Sequence, residues 1–571
     1  MKNVSLLMVA LAALLMAACS GGDQQPASPE QQATADGPKK SARTYPPAPP
    51  GVVRVNLGVD PPDLDPNLCT DIPGSWVLNH LFEPLVRLDA KAQPVPAQAE
   101  SWEHNEDFTE WTFHLRKDNK WQNGDPVTAG DFVYSLRRIL TPATTAQYAM
   151  MVYNFVEGGQ EFYDSQGTDD SKLGISAPDD YTLKIKLSGS TPYFLSILNH
   201  SAWFPLHRPT IEKYGREWIR PENYVGNGPY RFKEYRPKDK IILEKADTFW
   251  DKDTVNFQTI EFRIIIDGAT EMAAFISGDL DMTGQMPTRE ALRWRQEPEF
   301  VLGPALAVYY VAFNTAKPPF DDPALRRALA LTINRDLIVE KITRRGEKPG
   351  TGFIPWGLTM PDGRDYREIA PAYYSDPFTE RVAQAKQVLK DAGYSVDGSP
   401  GKPVPRPQYL YNTDDTHKDI AENMQAVWQS VLGAEVRLQN VEWTVLLSRA
   451  RAKDFEAMRS SWFGDYLDPL TFLEIFETGH GKNNVGYSNP VYDDLLAKIR
   501  TESDPQKRVE YIVEAERLLV EEDCILAPVY FYVTPVLQRL DIQDVVRIPL
   551  GGLDLTRAYR AGGVSDPNNR K

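Results

Sequence analysis

Residues 407–469 read PQYLYNTDDTHKDIAENMQAVWQSVLGAEVRLQNVEWTVLLSRARAKDFEAMRSSWFGDYLDP. Their patterning alternates: PQYLYN reads as strand, THKDIAENMQAVWQSVL as helix stopped at Gly433, AEVRLQNV as strand, EWTVLLSRARA as helix and FEAMRSSWF as strand. Two successive strand-helix-strand units have crossovers that favour a parallel sheet, which predicts an α/β fold. In open sheets of this kind ligands bind beyond the carboxyl ends of the strands. The turn NTDDTH and Asp465 both fall at such ends.

The two ends are chemically complementary. His417 is in the first turn of its helix, where free backbone N–H groups and the helix dipole favour an anion. Asp465 follows two aromatics and a glycine, and an isolated carboxylate away from water is costly without a partner. Arg459 precedes Asp465 by six residues, on the same face if the strand is unbroken and about 20 Å away at 3.3 Å per residue. A ligand a few residues long, with an ammonium at one end and a carboxylate at the other, fits that spacing; a short peptide is such a ligand. Each residue also has a plainer reading. Asp465 can cap its own turn, Arg459 can pair with Glu456, His417 can be structural, and Trp443 and Trp462 can be core.

Composition excludes some classes. The chain has 571 residues, too many for one core, and its 42% hydrophobic and 25% charged content is that of a folded globular protein rather than a disordered one. A formal net charge of -16 repels phosphate backbones, and no basic stripe interleaved with aromatics offers a nucleic-acid surface. The 12 Trp and 26 Tyr suit either recognition surfaces or a large core.

The N-terminus, MKNVSLLMVALAALLMAACS, has a basic start at Lys2, an apolar run and small residues before Cys19, the layout of a secretory signal. The run is too short for a comfortable membrane span. LMAAC resembles a bacterial lipobox, which implies a signal over 1–18 and lipidation of Cys19. Residues 19–50 lack large apolar side chains apart from Tyr45 and read as a flexible tether reaching roughly 30 Å. The folded body is expected from Gly51, outside the cytoplasm. Cys69 and Cys524 have no metal-ligand spacing and are read as thiols, although an oxidising compartment also permits a bridge.

Elsewhere FTEWTFHLR and YTLKIKLS alternate as half-buried strands, and TAGDFVYSLRRIL opens with Thr128 and Asp131 in capping-box spacing. TIEFRIII with ATEMAAFISGDLDM predicts strand, helix, strand. AVYYVAFN followed by DPALRRALALTINRDLIVEKI predicts the same order, with Pro323 suited to the helix start. No G-x-S-x-G elbow, H-E-x-x-H helix, Walker A loop or G-x-G-x-x-G fingerprint occurs, and the seven His are scattered. A receptor is expected rather than an enzyme, with no cofactor and no metal.

The ordered set YNTDDTHKDIA, VEWTVLL and FEAMRSSWFGDYLDPLTFLEIF closely resembles the periplasmic oligopeptide-binding proteins, the peptide receptors of bacterial ABC importers within extracellular solute-binding protein family 5. WTFHLRKDNKWQNGDPVTAGDFVYSLRRILTP, STPYFLSIL, NGPYRFKEY, SGDLDMT, YYVAFNTAKPPFDDPALRRALALTINRD and APVYFYV extend the resemblance over essentially the whole body. It implies a two-lobed, hinge-linked periplasmic-binding-protein fold of type II with an extra domain: lobe I over 51–90, 205–308 and 534–571, the extra domain over 91–204, and lobe II over 309–533. The hinge crossings are expected near Tyr309 to Phe313 and near Val529 to Val533. Peptide lies between the lobes as an added strand.

Carried over by position, Asp465 falls on the acid that holds the peptide ammonium. Arg459 and His417 fall on positions that meet carboxylates of peptides of different length, with Asn412 on a nearby polar position. Trp443, Trp462 and Tyr148 match residues beside side-chain pockets, and backbone near Ser461 and Phe463 supplies strand-like hydrogen bonds. Some positions depart from the family. Ala450 replaces an arginine, with Arg449 and Arg451 beside it; Ala307 and Phe463 stand where some members have a disulfide-bonded pair; Ala312 stands where some have an acid. The expected partners are short peptides, a membrane ABC permease and, through Cys19, a membrane; the expected state is a periplasmic, lipid-anchored monomer that does not bind nucleic acid. Ser20 is not the aspartate associated with inner-membrane retention, which leaves outer-membrane anchoring open. A dedicated receptor for a cell-wall peptide or dipeptide is the alternative.

Overall fold

The computed structural model describes residues 45–284, 286, 288–303, 305–502 and 504–567. The signal segment, Cys19 and nearly all of the tether lie outside the described residues. Strand β1 (Val52–Asn56) opens the body. Next come β2 (Ala99–His104), β3 (Glu110–Leu115), helix α1 (Ala129–Leu140), β4 (Ile175–Asp179) and β5 (Thr182–Lys186), whose strands form an antiparallel sheet ordered β2-β3-β5-β4. The alternation in β3 and β5 drives this sheet. Trp111 opposes Ile185 and Phe113 opposes Leu183, all four buried, while their neighbours face outward. Helix α1 starts as its capping box requires, with the Thr128 N–H donating to the Asp131 carboxylate at 2.8 Å.

Strands β6 (Tyr230–Arg236), β7 (Lys240–Lys245) and β8 (Thr259–Arg263) return to β1 in the order β1-β8-β7-β6, with β1 and β8 parallel. After β8 the expected helix forms over Gly268–Ser277, but the following strand is reduced to isolated bridges at Met282, one to Gln538 and one to Val55. Asp281, fully buried beside those bridges, accepts three hydrogen bonds from Arg54 in β1 and also meets Arg539 at 3.4 Å and Arg560 at 2.8 Å. It ties the C-terminal segment to the first strand. Asp281→Ala leaves three guanidinium groups around one empty position, and urea denaturation is expected to register a loss of about 3 kcal/mol.

Further strands are β9 (Phe300–Gly303), β10 (Ala307–Phe313), β11 (Lys348–Pro349), β12 (Gln408–Asn412), β13 (Arg437–Val441), β14 (Ala457–Phe463), β15 (Leu526–Phe531) and β16 (Thr534–Leu537). Six of them form one sheet, ordered β11-β15-β10-β14-β12-β13. Helices α2 (Asp415–Leu432) and α3 (Trp443–Arg451) make the two crossovers read from sequence, and β12 is parallel to both β13 and β14. The sheet as a whole is mixed, not parallel. Its central strand β10 runs antiparallel to both neighbours, and all seven of its residues are buried, which suits a strand covered on both faces. Strand β9 pairs antiparallel with β16 just before β10 and just after β15, so the chain enters and leaves this sheet as two adjacent strands.

Other departures have local causes. The expected helix from Pro323 ends at Leu331, and Asn334 caps a second helical segment, its side chain accepting the Leu337 N–H at 3.2 Å. Strand β14 ends at Phe463, so Asp465 lies beyond Gly464 in a bend and strand parity does not link it to Arg459. Ala307 and Phe463 oppose one another across β10 and β14. Among the described residues Cys69 and Cys524 are buried thiols without a bridge. Among the described residues no helix is long and apolar enough to cross a membrane.

Candidate functional site

Strand β14 has one paired and one open edge. Along β10 it is paired over its whole length, but along β12 the pairing stops at Tyr409–Ala457 and Leu410–Met458. From Arg459 to Phe463 no further strand pairs with the second edge among the described residues. Ser460, Ser461, Trp462 and Phe463 are accordingly only partly buried. Such an edge exposes main-chain N–H and C=O groups that an extended chain can complete.

Arg459 stands at one end of this edge. It is 7% exposed and has no ion-pair carboxylate among the described residues; it donates to the Tyr532 hydroxyl at 3.1 Å, and its Nε is buried without a partner. The guanidinium lies 5.3 Å from the Tyr309 ring centre and 5.9 Å from that of Trp443. Helix α2 brings His417 to the same place, 5.5 Å from Tyr309, because Asp414 caps the helix and accepts the His417 N–H at 2.9 Å. Burial, reinforced by Arg459, pushes His417 down to about 3, so the imidazole is neutral at pH 7. His417 Nδ1, Asn412 Oδ1, Trp443 Nε1 and the Tyr530 hydroxyl are buried without hydrogen-bond partners. Other buried polar atoms without partners occur elsewhere in the chain, but those of His417, Tyr530 and Trp443 surround Tyr309 and Arg459, where a polar ligand would satisfy them. The pairing of Arg459 with Glu456 does not occur: Glu456 accepts the Gln408 N–H at 2.6 Å and faces Arg437 at 3.8 Å.

Asp465 stands at the other end. Its N–H donates to Thr471 Oγ1 at 2.8 Å, which holds the bend. Rather than capping that bend, its carboxylate accepts from the Tyr148 hydroxyl at 3.2 Å and lies 3.7 Å from His200 Nε2. Trp462 is fixed nearby by its Nε1–H bond to the Thr471 carbonyl, 2.8 Å. Burial pushes Asp465 up to about 7, opposed by the charge of Lys482, while burial lowers Lys482 to about 8. The partner that Asp465 demands is thus supplied in part by the chain itself. At 15% exposure the side chain is not sealed off.

The structure therefore groups Arg459, His417 and Trp443 at one end and Asp465, Tyr148 and Trp462 at the other, with the backbone of Ser461 and Phe463 between them. The Phe463 ring faces Tyr532 at 5.4 Å. Arg449, expected beside the Ala450 position, is instead engaged by Asp454 at 3.1 Å and Gln439 at 2.8 Å, and Arg451 donates to Thr70 Oγ1 at 3.0 Å. Lys482 and His200 were missed. Both lie in irregular segments, HGKNN and NHSAW, where no periodicity signals a direction. Among the described residues no cluster of His, Cys, Asp and Glu is placed to hold a metal ion.

Comparison with known proteins identifies this architecture. The sequence model described as bacterial extracellular solute-binding proteins, family 5 Middle, matches residues 93–484. The dipeptide-binding protein DppE of Bacillus subtilis is 35% identical over 509 residues, 88% of this chain and 91% of its own length. The structure of Haemophilus influenzae OppA in complex with RPPGFSPFR superposes with a TM-score of 0.83 at 32% identity, over 90% of this chain and 99% of that one. The Escherichia coli murein tripeptide binding protein MppA also gives 0.83 at 32% identity, over 89% and 98% of the two chains. MppA in its unliganded open form gives 0.63 at 31% identity, over 90% and 98%, so the lobes here are arranged unlike that open form. With this coverage and the two-lobed type II periplasmic-binding fold, the chain belongs to the bacterial extracellular solute-binding proteins of family 5.

Proposed function

We propose that this protein captures short peptides between its two lobes and presents them to an ABC importer in the membrane. The observation that carries the reading is the open edge of β14, bounded by a carboxylate at Asp465 and, at Arg459, a guanidinium with no ion-pair carboxylate among the described residues. A peptide lying antiparallel to β14 puts its ammonium at Asp465 and its carboxylate at Arg459 and His417, with Asn412 alongside. Trp443, Trp462 and Tyr148 border the side-chain pockets, and the backbone of Ser461 and Phe463 pairs with the ligand. Main-chain pairing is indifferent to side-chain identity, so affinity and broad tolerance coexist. The names of the relatives, binders of dipeptides, oligopeptides and a murein tripeptide, support a peptide ligand and leave its length open.

In this reading lobe I comprises 51–90, 205–308 and 534–571, the extra domain 91–204 and lobe II 309–533. The hinge follows the paired crossings at β9–β16 and β10–β15. The protein is a receptor and not an enzyme, a monomer in the periplasm anchored through a lipid on Cys19. Native mass spectrometry of the body from Gly51, with identification of what is released on denaturation, tests the function. A ladder of unrelated short peptides is expected. A single species or a cell-wall fragment means a dedicated receptor, and failure to bind any added peptide refutes the reading.

Asp465 also sets a pH dependence. Its carboxyl is pushed up to about 7 in the free protein, and an ammonium requires the ionised form, so as pH falls through 7 a proton must leave before the ligand binds. Affinity for a free-amine peptide is expected to be about tenfold weaker at pH 6 than at pH 8. An N-acetylated peptide should show no such slope, and calorimetry at both pH values separates the cases.

A further inference from the structure

Lys482 stands beside Asp465 with unused hydrogen-bonding capacity. Its loop is held by Asn483, whose side-chain amide donates to the carbonyls of Phe476 at 3.2 Å, Glu477 at 3.0 Å and Tyr487 at 2.8 Å. The lysine ammonium makes one long bond, 3.4 Å, to the Thr70 carbonyl and no ion pair among the described residues. It lies 4.5 Å from the ring centre of Tyr148 and 5.8 Å from that of Trp462, the two aromatics around Asp465. An ammonium has three donors, and two of these have no acceptor among the described residues.

The charges at this end of the cleft balance without a ligand. Asp465 and Asp71 both attract Lys482, and Arg451 acts on Asp71 and Lys482. Asp63 is paired with Arg216 at 2.7 Å. Arg500 pairs with Glu477 at 2.7 Å and faces Glu474 at 3.7 Å, and burial pushes Glu474 up to about 8, so that it is neutral at pH 7. His200 and His480 are pushed down to about 3 by burial and are neutral as well. With Asp465 ionised, as ammonium binding requires, two carboxylates, Asp465 and Asp71, therefore face two cations, Lys482 and Arg451. A ligand that brings only an ammonium adds an uncompensated positive charge, whereas one that brings an ammonium and a carboxylate together adds none.

We infer that Lys482 is a specificity-determining residue that favours peptides whose first residue has an acidic side chain, the α-ammonium meeting Asp465 and the side-chain carboxylate meeting Lys482. The inference rests on the peptide orientation proposed above. It makes the Asp465 end a recognition site for a zwitterionic first residue rather than for an ammonium alone.

Calorimetric titration of the full chain with Glu-Ala-Ala, Gln-Ala-Ala and Ala-Ala-Ala tests it. The Glu-first peptide is expected to bind about tenfold more tightly than its isosteric Gln-first partner. Lys482→Met should bring the two within about twofold and Lys482→Arg should keep the preference. Equal affinities for Glu and Gln in the unaltered protein overturn the inference without needing any variant, and leave a peptide receptor standing if Ala-Ala-Ala still binds. A Glu preference that survives in Lys482→Met also overturns it, by assigning the preference to another group. If none of the three peptides binds, the peptide reading and this inference fall together.

Discussion

Replacing Asp465 with alanine is expected to weaken binding of a free-amine peptide by at least about 2 kcal/mol, roughly thirtyfold. The loss has two sources. The ligand ammonium is left in a partly desolvated place with only Tyr148 and neutral His200 to meet it, and Lys482 repels it once its own counter-charge has gone. N-acetylation of the peptide attacks the same contact from the other side and should also be costly. Its effect should be the smaller of the two, because Asp465 then keeps the attraction of Lys482. The decisive measurement is the cycle in which both changes are combined: acetylation should cost nothing further in Asp465→Ala. Unchanged affinity in Asp465→Ala would remove Asp465 from the ammonium site and reverse the orientation proposed for the ligand.

The segment around Asp465 also shows what could be read from sequence and what could not. The two crossovers through α2 and α3 were legible because helix period, Gly433 and the short apolar strands agree locally, and β12, β13 and β14 are indeed parallel. The antiparallel insertion of β10 beside β14 was not legible, since it joins residues 307–313 to residues 457–463 and no local pattern encodes such a pairing. Asp465 was flagged by the cost of its burial, and Arg459 and His417 by their place at strand and helix ends. Lys482 went unnoticed because its meaning comes entirely from which ring and which acid it meets, Tyr148 from a distant segment and Asp465 from the preceding bend. Open polar valences behaved likewise. That Arg459 Nε and Trp443 Nε1 are without partners is a property of packing, invisible in residue order.

The opposite end of the cleft carries the second large effect. Arg459→Met is expected to reduce affinity for a free-acid peptide of matching length by about 3 kcal/mol, roughly a hundredfold, with little change for the same peptide amidated at its C-terminus. Neighbouring groups cannot replace the lost charge. His417 is neutral at pH 7 because burial pushes it down to about 3, and Arg345 is committed to Glu347 at 2.6 Å. In the unaltered protein, amidation should itself cost a large part of the same energy, since Arg459 then stays buried without an anion. Titrating free-acid and amidated peptides of two to five residues against both proteins locates the effect. A loss concentrated at one length places the ligand carboxylate at Arg459 and measures the span from Asp465 directly. An equal loss for acid and amide at every length would make Arg459 a support for Tyr532 and Tyr309 rather than a contact of the ligand, because only a charge that meets the carboxylate can distinguish the two termini.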